Sequence, residues 1–279
     1  MKLKDAAFLD RIIGSSAAGN MKKSKSNRKE RLRKGILLLP NILTTAAMFA
    51  GFYAIVAAID GNFRRAAIAL FVAMLMDGLD GRVARMTSTE SDFGKEYDSL
   101  SDMICFGLAP ALVVYQWGVE RIAEYGVIWG RLGWLVAFMY AVSCALRLAR
   151  FNTRELPTGK RYFQGLPSPA AAAAVASMIW LGVELELEGI SVLALGFSVT
   201  AAAGLLMVSN FSYYSFKDLN LGGRVPFAYI ILVPLVFMLI SLDPPVVLLA
   251  MSLIYAASGP FLATWRIIAR RRQRRQQSV

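Results

Sequence analysis

The chain has 279 residues, 56% of them hydrophobic, and a net charge of +12. It contains no histidine, which excludes Ser-His-Asp catalysis, histidine zinc sites and imidazole acid–base chemistry. Apolar runs approaching the ~20 residues that cross a bilayer core exclude a soluble domain and indicate an integral membrane protein.

The first 20 residues lack the apolar core and small-residue cleavage site of a secretory signal, so they read as retained. Phe8 with Ile12, and Leu9 with Ile13, fit one face of a short interfacial helix, and a disordered tail suits the stretch equally. Residues 1–35 form a basic N-terminal segment ending in "MKKSKSNRKERLRK" (21–34). Spans follow near 36–58, 66–84, 96–117, 128–149, 167–184, 190–208, 226–242 and 245–265, and "RIIARRRQRRQQSV" (266–279) is a basic tail. The expected fold class is all-α, a polytopic membrane bundle of about eight transmembrane helices. By the positive-inside tendency both termini are cytoplasmic, which requires an even number of spans.

The loops agree with that topology. The 146–165 connection, cytoplasmic on this count, carries Arg147, Arg150, Arg154, Lys160 and Arg161, whereas the outer 184–189 connection reads "ELELEG". Arg64 and Arg65, in the first outer loop, are the exception. The terminal arginines read as topology determinants that also touch anionic lipid head groups, with no nucleic-acid role. Pro40, Pro167, Pro169, Pro226 and Pro244 lie near span starts, while Pro110, Pro234 and Pro260 fall inside spans, where a kink is expected. "SPAAAAAVAS" (168–177) is rich in small residues that let helices approach closely in lipid. Cys105 and Cys144 sit in apolar segments without redox or metal spacing and read as small buried hydrophobes.

The second and third spans carry the chemistry. Asp77 and Asp80 are three residues apart and Asp98 and Asp102 four, so each pair projects from one helix face. The topology places all of them near the cytoplasmic mouth, on neighbouring helices, about one or two turns below the joining loop. A charge at the bilayer centre costs about 2.5–3.5 kcal/mol on insertion scales, and facing carboxylates repel one another. Hard divalent cations, Mg²⁺ or Mn²⁺, are the natural counterweight, and two ions would balance the four aspartates. Such ions complete their shells with water and phosphate oxygens, so the constellation points to a phosphate-bearing substrate. Gly78, Gly81 and Gly94 allow either close helix packing or approach of a ligand to the backbone. Arg85, at the membrane edge, suits either a phosphate grip or an ordinary snorkelling role. Glu90, Asp92 and Glu96 read as solvated loop charges.

The spacing D-x2-D-G-x2-A-R-x8-G-x3-D-x3-D, met by Asp77, Asp80, Gly81, Ala84, Arg85, Gly94, Asp98 and Asp102, resembles the CDP-alcohol phosphatidyltransferase motif. The resemblance implies transfer of a phosphatidyl group from a CDP-lipid to an alcohol with release of CMP. It makes Asp77, Asp80, Asp98 and Asp102 metal ligands, with Asp102 also the base. It places Gly81, Arg85 and Ser91 at the nucleotide diphosphate, and Asn41 and Thr44 of "PNILT" at the nucleotide. A homodimer is also implied.

The stretches "FGKEYDSLSDMICFGLAPA" (93–111), "ALRLARFN" (145–152) and "YFQGLPSPAAA" (162–172) resemble the serine-accepting branch of that family, the membrane-embedded bacterial phosphatidylserine synthases. This implies CDP-diacylglycerol and L-serine as substrates and a bacterial inner membrane location with the site facing the cytoplasm. The family core would cover 36–208, while the two spans within 209–265 receive no chemistry. Arg147, Arg150, Arg154 and Asn152 are candidates to receive the serine carboxylate. Glycerol 3-phosphate is the alternative acceptor. A cation transporter is the rival of a different class, disfavoured because its acids would be distributed across the bilayer depth.

Overall fold

The computed structural model describes residues 39–87, 89, 91–122, 127–153, 162–187, 189–214 and 227–277. The N-terminal segment with Phe8 and Ile12, and Arg154, lie outside the described residues. Helix α1 (Leu39–Ile59) leads into α2 (Phe63–Thr87) through a turn in which Gly61 takes φ 73° and the Asn62 amide returns to the Ala57 carbonyl at 2.8 Å. Helix α3 (Asp92–Asp102) starts about a turn earlier than expected, because the Ser91 hydroxyl caps it by accepting the Gly94 amide at 3.0 Å.

From α3 the chain continues through a π-helical stretch, Met103–Leu108, into α4 (Ala109–Ile122). The widened turn is where Pro110 exerts its effect. Proline has no amide for the Phe106 carbonyl four residues back, and the Tyr140 hydroxyl, from α5 (Val127–Thr153), donates to that oxygen at 3.0 Å instead. A buried carbonyl orphaned by the proline is thereby satisfied from a neighbouring helix.

Strand β1 (Tyr162–Gln164) precedes α6 (Ser168–Glu184), and α7 (Ile190–Val208) precedes β2 (Ser212–Tyr214). The strands pair antiparallel, Phe163 opposite Tyr213, forming a short ribbon that the all-α expectation omitted. Gly165, at φ 81°, makes the bend after β1, where any side chain would strike the Met207 carbonyl. Helix α8 (Phe227–Leu242) and the long α9 (Pro244–Gln277) complete the described chain, and the expected basic tail continues α9 as helix.

The bundle packs around α6, which contacts α2, α4, α7 and α9. Its buried Ala171, Ala172, Ala174 and Ala176 permit those approaches, as small residues must where lipid offers no hydrophobic drive. At Gly182 an added Cβ would come within 2.5 Å of the buried Trp117 ring, so α4 and α6 meet there only because the side chain is missing. Outward-facing Phe49, Phe52, Phe237, Ile254 and Phe261 give the bundle an apolar exterior.

The molecule is an all-α polytopic membrane bundle. Leu39–Ile59, Asp92–Gly118, Arg131–Thr153 and Pro244–Trp265 are long and apolar enough to cross a membrane, and Ser168–Glu184 and Ala194–Val208 are shorter apolar helices. Arg64, an exception to the charge pattern, pairs with Glu184 at 3.7 Å across the ends of α2 and α6. That exposed pair adds little stability, but it balances the charge locally. Cys105 and Cys144 are free and buried, as expected of small apolar fillers.

Candidate active site

The acidic pairs of α2 and α3 converge. One carboxylate oxygen from each of Asp77, Asp80 and Asp98 lies within 4.8 Å of the others, and the Asp102 carboxyl is a hydrogen-bond neighbour of Asp77. The helix spacing put each pair on one face, and the packing of the two helices turns those faces toward one another.

Helix α1 holds the cluster from behind. The Thr44 hydroxyl, 3% exposed, lies 2.7 Å from Oδ2 of Asp80, itself 4% exposed, and 3.1 Å from the Pro40 carbonyl, so its single proton serves two acceptors. The Gly81 backbone amide also donates to Asp80. Ser101 donates to the Thr44 carbonyl at 3.3 Å, and Thr45 and Tyr97 join their hydroxyls at 2.9 Å. These bonds lace α1 to α2 and α3 and fix the orientation of Asp80 in a way that a mobile carboxylate could not match.

An open cleft of about 560 Å³ rises from the cluster. Asp80 and Asp98 stand in its wall together with Asn41, Thr44, Gly81, Arg85 and Ser91, so the residues expected to contact a nucleotide share one cavity. Thr89, Asp92 and Lys95 line it as well, and Asp92 is exposed, as expected of a solvated charge, though it sits on helix α3 and not in a loop. Capping by Ser91 is what carried Asp92 onto the helix, and the S-x-x-G spacing was the only local signal. A Cβ at Gly78 or Gly81 would meet nothing within 4 Å, so these glycines do not serve helix packing. Gly81 opens the cleft floor. At Gly94 a Cβ would sit 3.1 Å from the Ser91 hydroxyl and 3.5 Å from Oδ1 of Asn41, so there the missing side chain permits close approach.

The three described basic and amide candidates, Arg147, Arg150 and Asn152, separate. Arg147 donates from Nη1 to the Ser168 hydroxyl at 3.0 Å and has a buried Nε with no partner among the described residues. Arg150 instead reaches the end of α7, at 3.3 Å from the Val208 carbonyl, 3.4 Å from that of Ser209 and 3.3 Å from Oδ1 of Asn210. Those are carbonyls that a helix leaves unsatisfied, and a cation suits them. Asn152 donates to Ser99 at 2.8 Å, tying α5 to α3.

Chemically, the cluster offers oxygen donors and several negative charges in a small volume. That donor set fits a hard divalent cation better than a soft one, and Asp77, Asp80 and Asp98 are the residues placed to hold it. The adjoining cavity, with Arg85 and Lys95 on its wall, suits an anionic substrate.

Comparison with known proteins agrees with this chemistry. Residues 37–209 match the sequence profile of CDP-alcohol phosphatidyltransferase. A CDP-diacylglycerol–serine O-phosphatidyltransferase of Helicobacter pylori is 38% identical over 204 residues, covering 72% of this chain and 82% of that protein. One from Mycobacterium bovis is 37% identical over 188 residues, covering 64% of this chain and 63% of that protein. An archaetidylserine synthase of Methanothermobacter thermautotrophicus is 35% identical over 179 residues, covering 63% and 70%. With the aspartates, the cleft and the first seven helices all inside the matched region, the chain belongs to the CDP-alcohol phosphatidyltransferase family.

Proposed function

We propose that the protein transfers the phosphatidyl group of CDP-diacylglycerol to the hydroxyl of L-serine, giving phosphatidylserine and CMP. The observation that carries the reading is the acidic cluster of Asp77, Asp80 and Asp98, two of whose members stand in the wall of an open cleft. Asn41, Thr44, Gly81, Arg85 and Ser91 line the cleft and would hold the cytidine diphosphate portion. Asp77, Asp80 and Asp98, joined by Asp102, would hold Mg²⁺ or Mn²⁺, two ions by charge balance. A bound cation would neutralise the diphosphate and stabilise the charge developing on the leaving CMP.

Asp102 accepts the proton of the serine hydroxyl as its oxygen bonds to the β-phosphorus and the bond to the CMP oxygen breaks. Arg147, with an Nε–H unpartnered among the described residues, receives the serine carboxylate. Arg150 and Asn152 support that wall by fastening α5 to α7 and α3. The relatives' names favour serine over glycerol 3-phosphate, and the gathering of acids at one place disfavours a transporter path.

The same reading includes eight membrane crossings, both termini in the cytoplasm, a site opening to that side of a bacterial inner membrane, and a homodimer. The basic ends and the acidic "ELELEG" loop support the orientation, and family resemblance supports the dimer.

The test is release of CMP from CDP-diacylglycerol by detergent-purified protein, with serine, glycerol 3-phosphate, inositol phosphate and choline offered separately. Serine-dependent, chelator-sensitive release is expected. Release with glycerol 3-phosphate alone would replace the acceptor, and none with any alcohol would reject the enzyme.

A further inference from the structure

Thr44 and Thr45 are neighbours near the start of α1, yet their hydroxyls serve different helices. That of Thr44 bonds Asp80 of α2 and the Pro40 carbonyl, whereas that of Thr45 donates to the Asn41 carbonyl at 2.7 Å and meets the Tyr97 hydroxyl of α3 at 2.9 Å. A threonine has one hydroxyl proton, and with that of Thr45 engaged by a carbonyl, Tyr97 is the donor of the second bond. A chain of two hydrogen bonds therefore runs from Tyr97 through Thr45 to the backbone of Asn41.

Asn41 is where that chain meets the cleft. It lines the cavity with Ser91, Gly94, Lys95 and Asp98, and its Oδ1 lies 3.5 Å from the place a Gly94 Cβ would occupy, so its amide bears on the first turn of α3. It also belongs to the first turn of α1, and a terminal turn is the part of a helix that opens most readily. Tyr97 lies one turn along α3 from Gly94 and directly before Asp98. Its ring stacks on that of Phe93, with centroids 5.9 Å and planes 12° apart, and the stack restricts where the hydroxyl can point.

We infer that Tyr97 is a positioning residue for the nucleotide end of the cleft. Through Thr45 it fixes the first turn of α1, and with it the Asn41 amide, at the spacing from α3 that a nucleoside diphosphate needs. This rests on the reading that the cleft takes the cytidine diphosphate portion of the donor. Adjacent threonines then divide the work, Thr44 orienting the Asp80 carboxylate and Thr45, with Tyr97, orienting the residue that meets the nucleotide. A binding group is useful only when its neighbours hold it in the productive geometry, so loss of the Tyr97 hydroxyl weakens donor binding and leaves the metal site and the acceptor unaffected.

Initial rates of CMP release by the full-length purified chain in mixed micelles, titrated separately with CDP-diacylglycerol, serine and the activating metal, Mg²⁺ or Mn²⁺, test the inference. In Tyr97→Phe, which keeps the stacked ring, the KM for CDP-diacylglycerol should rise about fivefold, the usual worth of one hydrogen bond, while kcat, the serine KM and the half-saturating metal concentration stay within about twofold. Thr45→Val should give the same shift and Thr45→Ser, which keeps the hydroxyl, should not. Combining Tyr97→Phe with Thr45→Val should add nothing to either change alone, because both break one chain. A wild-type KM for CDP-diacylglycerol in Tyr97→Phe overturns the proposal, as do shifts that multiply in the double variant. A fall in kcat with unchanged KM values would assign Tyr97 a structural role only and overturn it as well. Asn41→Ala separates the two layers. If it raises the KM for CDP-diacylglycerol and Tyr97→Phe does not, the cleft reading stands and Tyr97 has no part in it. If Asn41→Ala leaves that KM unchanged, the assignment of Asn41 to the nucleotide fails and the inference with it.

Discussion

Asp80 and Asp102 belong to the same cluster but have different surroundings, and their substitutions should differ accordingly. Asp80 is nearly enclosed and is held by the Thr44 hydroxyl and the Gly81 amide, the setting of a fixed ligand. Asp102 lies at the end of α3 as a hydrogen-bond neighbour of Asp77, the setting of a group that exchanges a proton with an incoming alcohol. Asp102→Asn should keep the fold, judged by an unchanged monodisperse elution, and lose turnover by about 10²–10⁴-fold, the usual worth of a general base. Thr44→Val removes a hydrogen bond to a ligand and leaves the ligand in place. It should raise the metal concentration needed for half-maximal CMP release by about 10–100-fold, while excess metal restores most of the rate.

The helices matter at the next scale, where a π-helical stretch and one missing side chain shape α4 and its contact with α6. The α3–α4 helix passes through a π-helical stretch just after Asp102, and the cost at Pro110 is offset by the Tyr140 hydroxyl on the Phe106 carbonyl. Tyr140→Phe leaves that carbonyl buried without a donor, which should destabilise the solubilised protein by about 1–3 kcal/mol, read as a lower denaturant midpoint. The ring remains, so the loss is one of hydrogen bonding and not of packing. Gly182→Leu acts at the α4–α6 contact by forcing atoms into the Trp117 ring, and overpacking of that kind costs about 1–3 kcal/mol. Neither site touches the cleft. A fall in stability with kcat per folded molecule retained is the expected outcome for both, measured as activity of the monodisperse fraction.

For the whole molecule, the proposed topology sorts the contacts by end. Arg64 meets Glu184 at one end, whereas Asn152 meets Ser99 and Arg150 meets Ser209 at the other, beside the acids. Because both native cysteines are buried, single exposed cysteines introduced at Gly61 and Asn210 can report on sidedness. A membrane-impermeant thiol reagent applied to intact cells with a permeabilised outer membrane should label Gly61→Cys and spare Asn210→Cys until the inner membrane is opened. The reverse labelling would invert the proposed orientation.

Much of this architecture was legible in the sequence, because helix length, apolar content and the three- and four-residue spacing of the aspartates are local properties carried by the periodicity of one segment. For that reason the predicted spans coincide with described helices, and Asp77, Asp80, Asp98 and Asp102 come together as expected. Arg147, Arg150 and Asn152 were indistinguishable as letters, since a positively charged or amide side chain near a helix end has no direction until its neighbours are packed. Tertiary structure sent Arg150 to the end of α7, Asn152 to Ser99 and Arg147 to Ser168 at the start of α6. It also brought α9 against α6 and β2, through a ribbon between segments about fifty residues apart and a glycine whose missing side chain has meaning only beside Tyr213. Such contacts depend on shape at long range, and no periodicity within either segment encodes them.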